Sequence, residues 1–434
     1  MTTVSFHGGI HIDDGKHLTR QQPLQRAKPP RHIILPLQQH IGRPCEPCVR
    51  VGEQVTWGQV VADADGLSAP IHSSVSGKVL AIENRRHPNG RHVPSIVIAN
   101  DGLDTPCQTE TPPADPAALS PEDLIALIRR AGIIGMGGAA FPTEAKLRSA
   151  REKADTLIIN ACECEPYLTA DETLLSCRGQ EVVDGGSIVG KLLGVSQVVL
   201  ALEDDKPQAA EAARSVLSGR SDVRLCLLPR RYPQGSEKHL ILALTGREVP
   251  PGKLPMDVGC AVINAATCSA IARAVYLGEN LTERIVTVTG DAVRQPRNLL
   301  VRIGTPMADV IAQCGGLSGD AWKVMAGGPM MGLTQRDLEA PIIKNTGALV
   351  CLSLRHRDET DHPACIRCGR CVRVCPMRLQ PLYLYRFAHW GSSAQLRRAR
   401  LTDCIECGCC AYVCPGKLPL VETFRQAKQQ RKEA

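Results

Sequence analysis

Eight of the chain's 20 cysteines fall in two matching runs near the C-terminus. Cys365, Cys368, Cys371 and Cys375-Pro376 follow C-x2-C-x2-C-x3-C-P, and Cys404, Cys407, Cys410 and Cys414-Pro415 repeat the pattern. This is the spacing that holds [4Fe-4S] clusters. Two intervening residues let the backbone wrap one cube and bring three thiolates to three irons. The fourth cysteine points away and ligates the partner cluster. The pattern predicts one cluster on Cys365, Cys368, Cys371 and Cys414, and another on Cys404, Cys407, Cys410 and Cys375. Structural zinc, the main competitor, favours paired C-x2-C motifs over triplets closed by Cys-Pro. Gly369 and Gly408 ease the tight loops, and Cys409 reads as a bystander.

Two further segments carry chemistry-bearing residues. Gly135, Gly137 and Gly138 cluster between two expected helices, and Lys146 lies a helical turn or so beyond. Glycines let a ligand approach the backbone, and successive N–H groups form an anion nest that Lys146 could complete. A packing turn is the plain alternative, and no strand feeds the loop as a dinucleotide fingerprint requires. Asn160-Ala-Cys-Glu-Cys-Glu-Pro166 follows an expected strand, and strand ends in open α/β sheets are where ligands sit. A polar loop with a free thiol is the alternative there.

The elements that must hold these residues follow from periodicity. The first hundred residues are β-rich, with short alternating stretches at Val51–Val61, Ile71–Ile82 and Val93–Ala99. Ser120 caps an expected helix with Pro121 at its first position and a Leu124, Leu127, Ile128 stripe. Strands at Thr156–Asn160, Val198–Leu202 and Val223–Leu228 alternate with helices at Val182–Leu193, Gln208–Leu217 and Gly235–Leu244, which points to βαβ units. Alternation returns at Ile285–Gly290 and Leu299–Ile303, before a helix near Met307–Cys314. A basic helix, Leu420–Lys432, ends the chain.

At roughly 150 residues per domain, 434 residues suggest about three domains. A hydrophobic fraction of 43% excludes global disorder. Lys+Arg 51 against Asp+Glu 44 gives only +7, and aromatics are 3%, so neither a concentrated basic face nor stacking rings favour nucleic-acid binding. No run approaches the ~18 apolar residues of a membrane span. Met1–Lys16 lacks the basic start and apolar core of a signal peptide. A long chain without an export signal points to a reducing compartment, where clustered cysteines bind metal or do redox work.

Taken in order, Gly135–Lys146, Asn160–Pro166, Tyr232-Pro-Gln-Gly-Ser-Glu237 and Ile263-Asn-Ala-Ala-Thr267 resemble the flavin- and NADH-binding subunit of respiratory complex I. With Phe6-His-Gly-Gly-Ile10 at the start and the paired cysteine runs at the end, nearly the whole chain resembles the C subunits of the Rnf electron transport complex, an ion-translocating ferredoxin:NAD oxidoreductase. The resemblance implies a multidomain α/β and α+β chain. Its parts are a barrel-sandwich hybrid domain over 1–100, a linker over 101–119 and an α/β FMN/NADH-binding domain over 120–280. A small β-grasp ligand-binding-like module over 281–335, a connector over 336–360 and a two-[4Fe-4S] bacterial-ferredoxin-like helical domain over 361–434 follow. It implies non-covalent FMN held by Gly135, Gly137, Gly138, Lys146, Asn160, Glu163, Tyr232, Gly235, Glu237 and Asn264, with Phe141 and Glu165 towards NAD(H). The complex I subunit has an acid where Cys162 stands and paired acids at Ser236-Glu237.

The partners so implied are other Rnf subunits, integral membrane and ferredoxin-like ones included, with this chain peripheral on the cytoplasmic face of the bacterial inner membrane. The competing readings are a soluble flavin/iron–sulfur reductase such as a corrinoid reductase, against which the N-terminal barrel counts, and an electron relay without nucleotide binding, against which the Gly135–Lys146 segment counts. Val51–Ile82 also resembles a lipoyl/biotinyl barrel, but Asp63–Pro70 offers no lysine to carry a swinging cofactor. Cys45 and Cys48 form a lone C-x2-C. Cys107, Cys177, Cys226, Cys260, Cys268, Cys314 and Cys351 read as small core residues.

Overall fold

The computed structural model describes residues 5–107, 119–357 and 363–433. The linker expected over 101–119 falls largely outside them. Among the described residues no helix is long and apolar enough to cross a membrane.

The N-terminal β-region forms two small sheets. One orders His32–Pro36, His92–Asn100, Gly77–Arg86 and Gln54–Val55; the other orders Glu46–Pro47, Val60–Asp63 and Ile71–His72. Ile33, Leu35, Val61, Ile71, Val79, Ile96 and Ile98 fill the space between them, all at most 1% exposed. Burying such side chains contributes about 2 kcal/mol each, which is what alternating strands of this length need to stay folded.

Residues 5–26 run outside these sheets as a strap. Ile10 bridges to Tyr232, the Gly9 N–H bonds the Val374 carbonyl, and Gln25–Arg26 adds a parallel edge strand beside Leu299–Leu300.

The central domain is a four-stranded parallel sheet ordered Arg224–Leu228, Gln197–Glu203, Thr156–Asn160 and Cys260–Asn264. Ser120 caps helix Pro121–Arg130 by accepting from the Asp123 N–H at 3.2 Å, as its sequence signature predicts. Two elements differ from expectation. The helix expected from Val182 begins at Ala170 and runs to Leu193, with a break in helical dihedrals at Arg178. Its first turn lacks a local cap, because the distant Glu163 supplies one. Strand Cys260–Asn264 has no boundary in the sequence against the helix that follows it, Ala265–Leu277, since its apolar residues merge into the helical pattern. The two long helices cross closely at Gly185, where a Cβ would lie 1.9 Å from the Cys268 carbonyl oxygen.

The β-grasp sheet orders Gln25–Arg26, Arg297–Arg302, Glu283–Thr289, Ala348–Ser353, Ala321–Ala326 and Leu333–Gln335. Ala348–Ser353 falls within the expected connector, yet it is an interior strand with every residue buried. The intervening segment returns it to the sheet, which no local signal announces. The cysteine-rich end is helical, with short helices Arg370–Arg373 and Cys409–Tyr412 inside the two runs and longer ones at Pro381–Trp390 and Leu420–Glu433.

Candidate functional site

Strands Thr156–Asn160 and Cys260–Asn264 lie side by side in register, so Asn160 pairs with Asn264 at the carboxyl edge of the sheet. The Asn160 amide donates to the Gly235 carbonyl at 2.9 Å. Asn264 caps helix Ala265–Leu277 by accepting from the Ala266 N–H at 3.0 Å, and donates to Asp171 at 2.6 Å. The glycine loop folds over this edge. Gly135 bonds the Phe141 carbonyl at 2.8 Å, and a Cβ on Gly137 would meet the Asn264 side chain at 3.2 Å. Gly138 has φ +125° and open space where a Cβ would stand. Lys146 pairs with Glu237 at 2.7 Å, each partly exposed. Gly235 must be glycine, since a Cβ would sit 2.2 Å from the Cys162 carbonyl oxygen.

The structure therefore brings Gly135, Gly137, Gly138, Phe141, Lys146, Asn160, Gly235, Glu237 and Asn264 to one edge. Glycine N–H groups, a helix N-terminus and one lysine suit an anionic ligand, and the absence of Cβ atoms leaves room for it.

Three further expected residues have hydrogen-bond partners of their own beside this edge. The Glu163 carboxylate accepts from the Asp171 and Glu172 N–H groups at 3.1 and 3.2 Å, capping the long helix. Glu165 accepts from the Met330 and Met331 N–H groups of the β-grasp module at 2.7 and 3.2 Å, so this carboxylate faces that module. Tyr232 donates to the Cys407 carbonyl at 2.7 Å, bonding the cysteine-rich domain. Cys162 is buried in one apolar cluster with Leu240 and Val262.

Sequence reasoning missed several residues that shape this edge. Burial, and secondly the charge of Glu163, push Asp171 up to about 7. Lys16 of the strap bonds the Glu163 carbonyl. Lys344 is 1% exposed and donates at 2.6 Å to both the Pro70 and Gly132 carbonyls, pinning barrel and glycine loop together. Only the acid near a helix start, at Asp171, has a local signal.

In the C-terminal domain, Cys365, Cys368, Cys371 and Cys414 line one cavity of about 390 Å³. Cys404, Cys407, Cys410 and Cys375 line another of about 360 Å³, together with Cys409. Each cavity thus takes its fourth thiol from the other run. Among the described residues no three Cys, His, Asp or Glu side chains converge tightly enough for a single metal ion. Four thiols spaced around a cavity suit a cube whose irons stand apart, not one tetrahedral zinc. Elsewhere, Cys45 is buried beside His40 and Ser68, whereas Cys48 is exposed. Cys260, Cys268, Cys314 and Cys351 are core residues as expected; Cys177 is exposed.

Four families match successive stretches. They are the RnfC barrel sandwich hybrid domain at 4–103, the Nuo51 FMN-binding domain at 128–273, the SLBB domain at 285–334 and the 4Fe-4S dicluster domain at 364–417. The chain is 42% identical over 386 residues to the C subunit of the Na(+)-translocating ferredoxin:NAD(+) oxidoreductase complex of Acetobacterium woodii, covering 88% of this chain and 87% of that one. It is 44% identical to the C subunit of the ion-translocating oxidoreductase complex of Rhodobacter capsulatus, covering 99% and 83%. The corresponding protein of Pseudomonas aeruginosa is 44% identical, and the chain spans 55% of its length. A chain of an NAD+-reducing [NiFe]-hydrogenase in the H2-reduced state shares the fold, with a TM-score of 0.52, 22% identity and coverage of 73% of this chain and 63% of that one. An FMN-binding domain and a 4Fe-4S dicluster domain are therefore both present, on elements whose residues fit those groups. With relatives this similar over most of its length, the chain belongs to the family of C subunits of ion-translocating ferredoxin:NAD(+) oxidoreductase complexes.

Proposed function

We propose that the chain passes electrons between NAD(H), FMN at the Asn160/Asn264 edge and two [4Fe-4S] clusters, as a peripheral subunit on the cytoplasmic face of a membrane complex. The observation that carries this reading is the direct bond from Tyr232, beside the glycine-loop edge, to the backbone of Cys407. It makes one continuous body of a flavin-type site and a thiol-lined cavity.

Bound FMN supplies the conversion between a hydride pair and single electrons, which clusters alone cannot perform. The chain's own residues bind and orient. Lys146 would meet the anionic end of the flavin, and Glu237 fixes where the ammonium stands. The N–H groups of Gly137 and Gly138 add donors without steric cost. Asn160 and Asn264 hold the floor of the site, Asn264 doing so from a helix cap. Phe141 offers an apolar rim for a nicotinamide, while Glu165 acts through the β-grasp module it binds. The two sets of four cysteines hold the clusters, each set completed by the other run.

Anaerobic purification with quantification of flavin and iron, followed by addition of NADH, tests this reading. Bound FMN that NADH bleaches is expected. Flavin that stays oxidised points to a relay without nucleotide chemistry. Co-purification with small integral membrane proteins separates the membrane-complex reading from a soluble reductase.

A further inference from the structure

A cavity of about 880 Å³ lies where three parts of the fold meet. The early turns of helices Ala170–Leu193 and Ala265–Leu277 form one wall, through residues such as Leu174 and Ala270. The barrel contributes Trp57, whose indole N–H donates to Thr282 at 3.2 Å, and the β-grasp sheet contributes Arg284, Ile285 and Leu300. None of the residues assigned above to FMN or NAD(H) lines this chamber. Asp171 touches both places: it lines the chamber, and it accepts from Asn264 of the flavin edge at 2.6 Å.

Four arginines line the chamber, and two of them are already matched. Arg26 pairs with Glu283, and Arg273 pairs with Glu181 and Glu279. The other two, Arg178 and Arg284, form no ion pair among the described residues. Arg284 is 5% exposed, and its guanidinium donates to the Lys344 carbonyl at 2.6 Å. Burial pulls it down to about 10, against the attraction of Asp171 and Glu163, so it stays charged at neutral pH. A cation taken out of water without a counter-ion is costly, so this place is short of an anion. Arg178 is half-buried and stands at the break in its helix, with φ −136° and ψ 32°, where that helix borders the chamber. Much of the remaining lining is apolar, with Trp57, Met136, Leu174, Leu281, Ile285 and Leu300. Apolar walls with a few convergent charged groups are what small-molecule sites use, and a guanidinium holds a carboxylate or phosphate through two parallel N–H bonds.

We propose that this chamber binds a small organic anion, an aromatic or apolar body that bears a single carboxylate or phosphate, with Arg178 and Arg284 taking the anionic group and Trp57 and its apolar neighbours the body. The ligand completes the charge that Arg284 lacks inside the protein. The site is separate from that of the flavin, and the inference rests on neither the flavin nor the cluster assignment.

The test uses the full chain, purified anaerobically with its cofactors in place, and three probes of similar shape: phenyl phosphate, phenylacetate and benzyl alcohol. Titration calorimetry should show one equivalent of at least one of the two anions binding with a Kd of about 1 mM or tighter, and the neutral alcohol binding at least about tenfold more weakly. Which anion binds more tightly identifies the head group as phosphate or carboxylate. Arg178→Gln and Arg284→Gln should each weaken anion binding about tenfold, as for loss of a charge-assisted contact. Ala270→Phe, which fills the chamber, should abolish it, with iron and flavin content unchanged. Should Arg284→Gln fail to fold, Arg178→Gln and Ala270→Phe decide. Binding of neither anion, binding of benzyl alcohol as tight as theirs, or an affinity that the variants leave unchanged overturns the proposal. So does release of FMN by a bound probe, which would make the chamber part of the flavin site. The heat of binding is read whether or not flavin is present, so failure here is distinguishable from failure of the flavin reading.

Discussion

The phenolic oxygen of Tyr232 donates a 2.7 Å hydrogen bond to the backbone carbonyl of Cys407, across 175 residues of sequence. Both residues are buried, and Ile10 of the strap completes the contact by bridging to the Tyr232 backbone. Removing the hydroxyl leaves a buried carbonyl without its donor, a loss of about 1–2 kcal/mol. Tyr232→Phe should therefore speed amide exchange over residues 405–410 by about fivefold or more while iron content stays normal. Unchanged exchange would mean that the domains are held together elsewhere.

Lys146→Ala removes the ammonium that pairs with Glu237 beside the glycine loop and strands Glu237. Flavin affinity should fall by about one to two orders of magnitude, as for loss of a charge-assisted contact to an anion. Iron should stay near normal, because no cysteine of either run lines that edge. Fluorescence titration of FMN beside an iron assay checks this. Loss of iron in parallel with flavin would place the pocket elsewhere.

Much of this is legible in the residues themselves. The spacing in the two cysteine runs anticipates the cavity linings, because a fixed cofactor shape dictates the interval between ligands. The parallel strands are legible as apolar runs between helices, and Ser120 announces its helix by type and position. What stays hidden is what depends on distant partners. The long helix begins at Ala170 because Glu163 caps it from outside any local capping pattern. Ala348–Ser353 looks like any short apolar stretch until the β-grasp sheet closes around it. Lys344 looks solvent-bound by composition, and only the meeting of three segments buries it.

Burial pulls the Lys344 amine down to about 7 from an ordinary value near 10.5. A neutral amine has two N–H donors for the two carbonyls it faces. The folded state thus prefers the deprotonated form. The burial cost is fully present below about pH 7 and is relieved as pH rises towards 10.5, so stability should increase across that window, by up to about 5 kcal/mol. Denaturant midpoints at pH 7.5 and 9.5 should rise in the wild type. Lys344→Met should abolish the slope and lower stability at the higher pH, because the Pro70 and Gly132 carbonyls lose their donor. A Met variant with the same slope would assign the effect to another group.

Cys375→Ser tests the crossed ligation. Cys375 lies in the first run, yet it lines the cavity of Cys404, Cys407 and Cys410. The variant should lose about half its iron, with the EPR signal of the cluster on Cys404, Cys407 and Cys410 lost or altered and that of the cluster on Cys365, Cys368 and Cys371 retained. Selective loss of the signal from Cys365, Cys368 and Cys371 would reverse the assignment.

Glu165 links acidity to the seam between flavin and β-grasp modules. Burial pushes its carboxyl up to about 7, against the pull of the Met330 and Met331 N–H groups. For an acid whose folded value is raised, the protonated form is the one that folding favours. Stability from this group is greatest below its ordinary value of 4.5 and is lost as pH climbs from there towards 7. The loss amounts to about 2 kcal/mol once the residue's partial exposure is allowed for. Glu165→Gln keeps an oxygen for both N–H groups and removes the charge. Amide exchange at Met330 and Met331 should quicken in the wild type between pH 5.5 and 8 beyond the intrinsic rate, and the variant should lose that extra dependence. If both proteins show the same excess, the carboxyl does not control the seam.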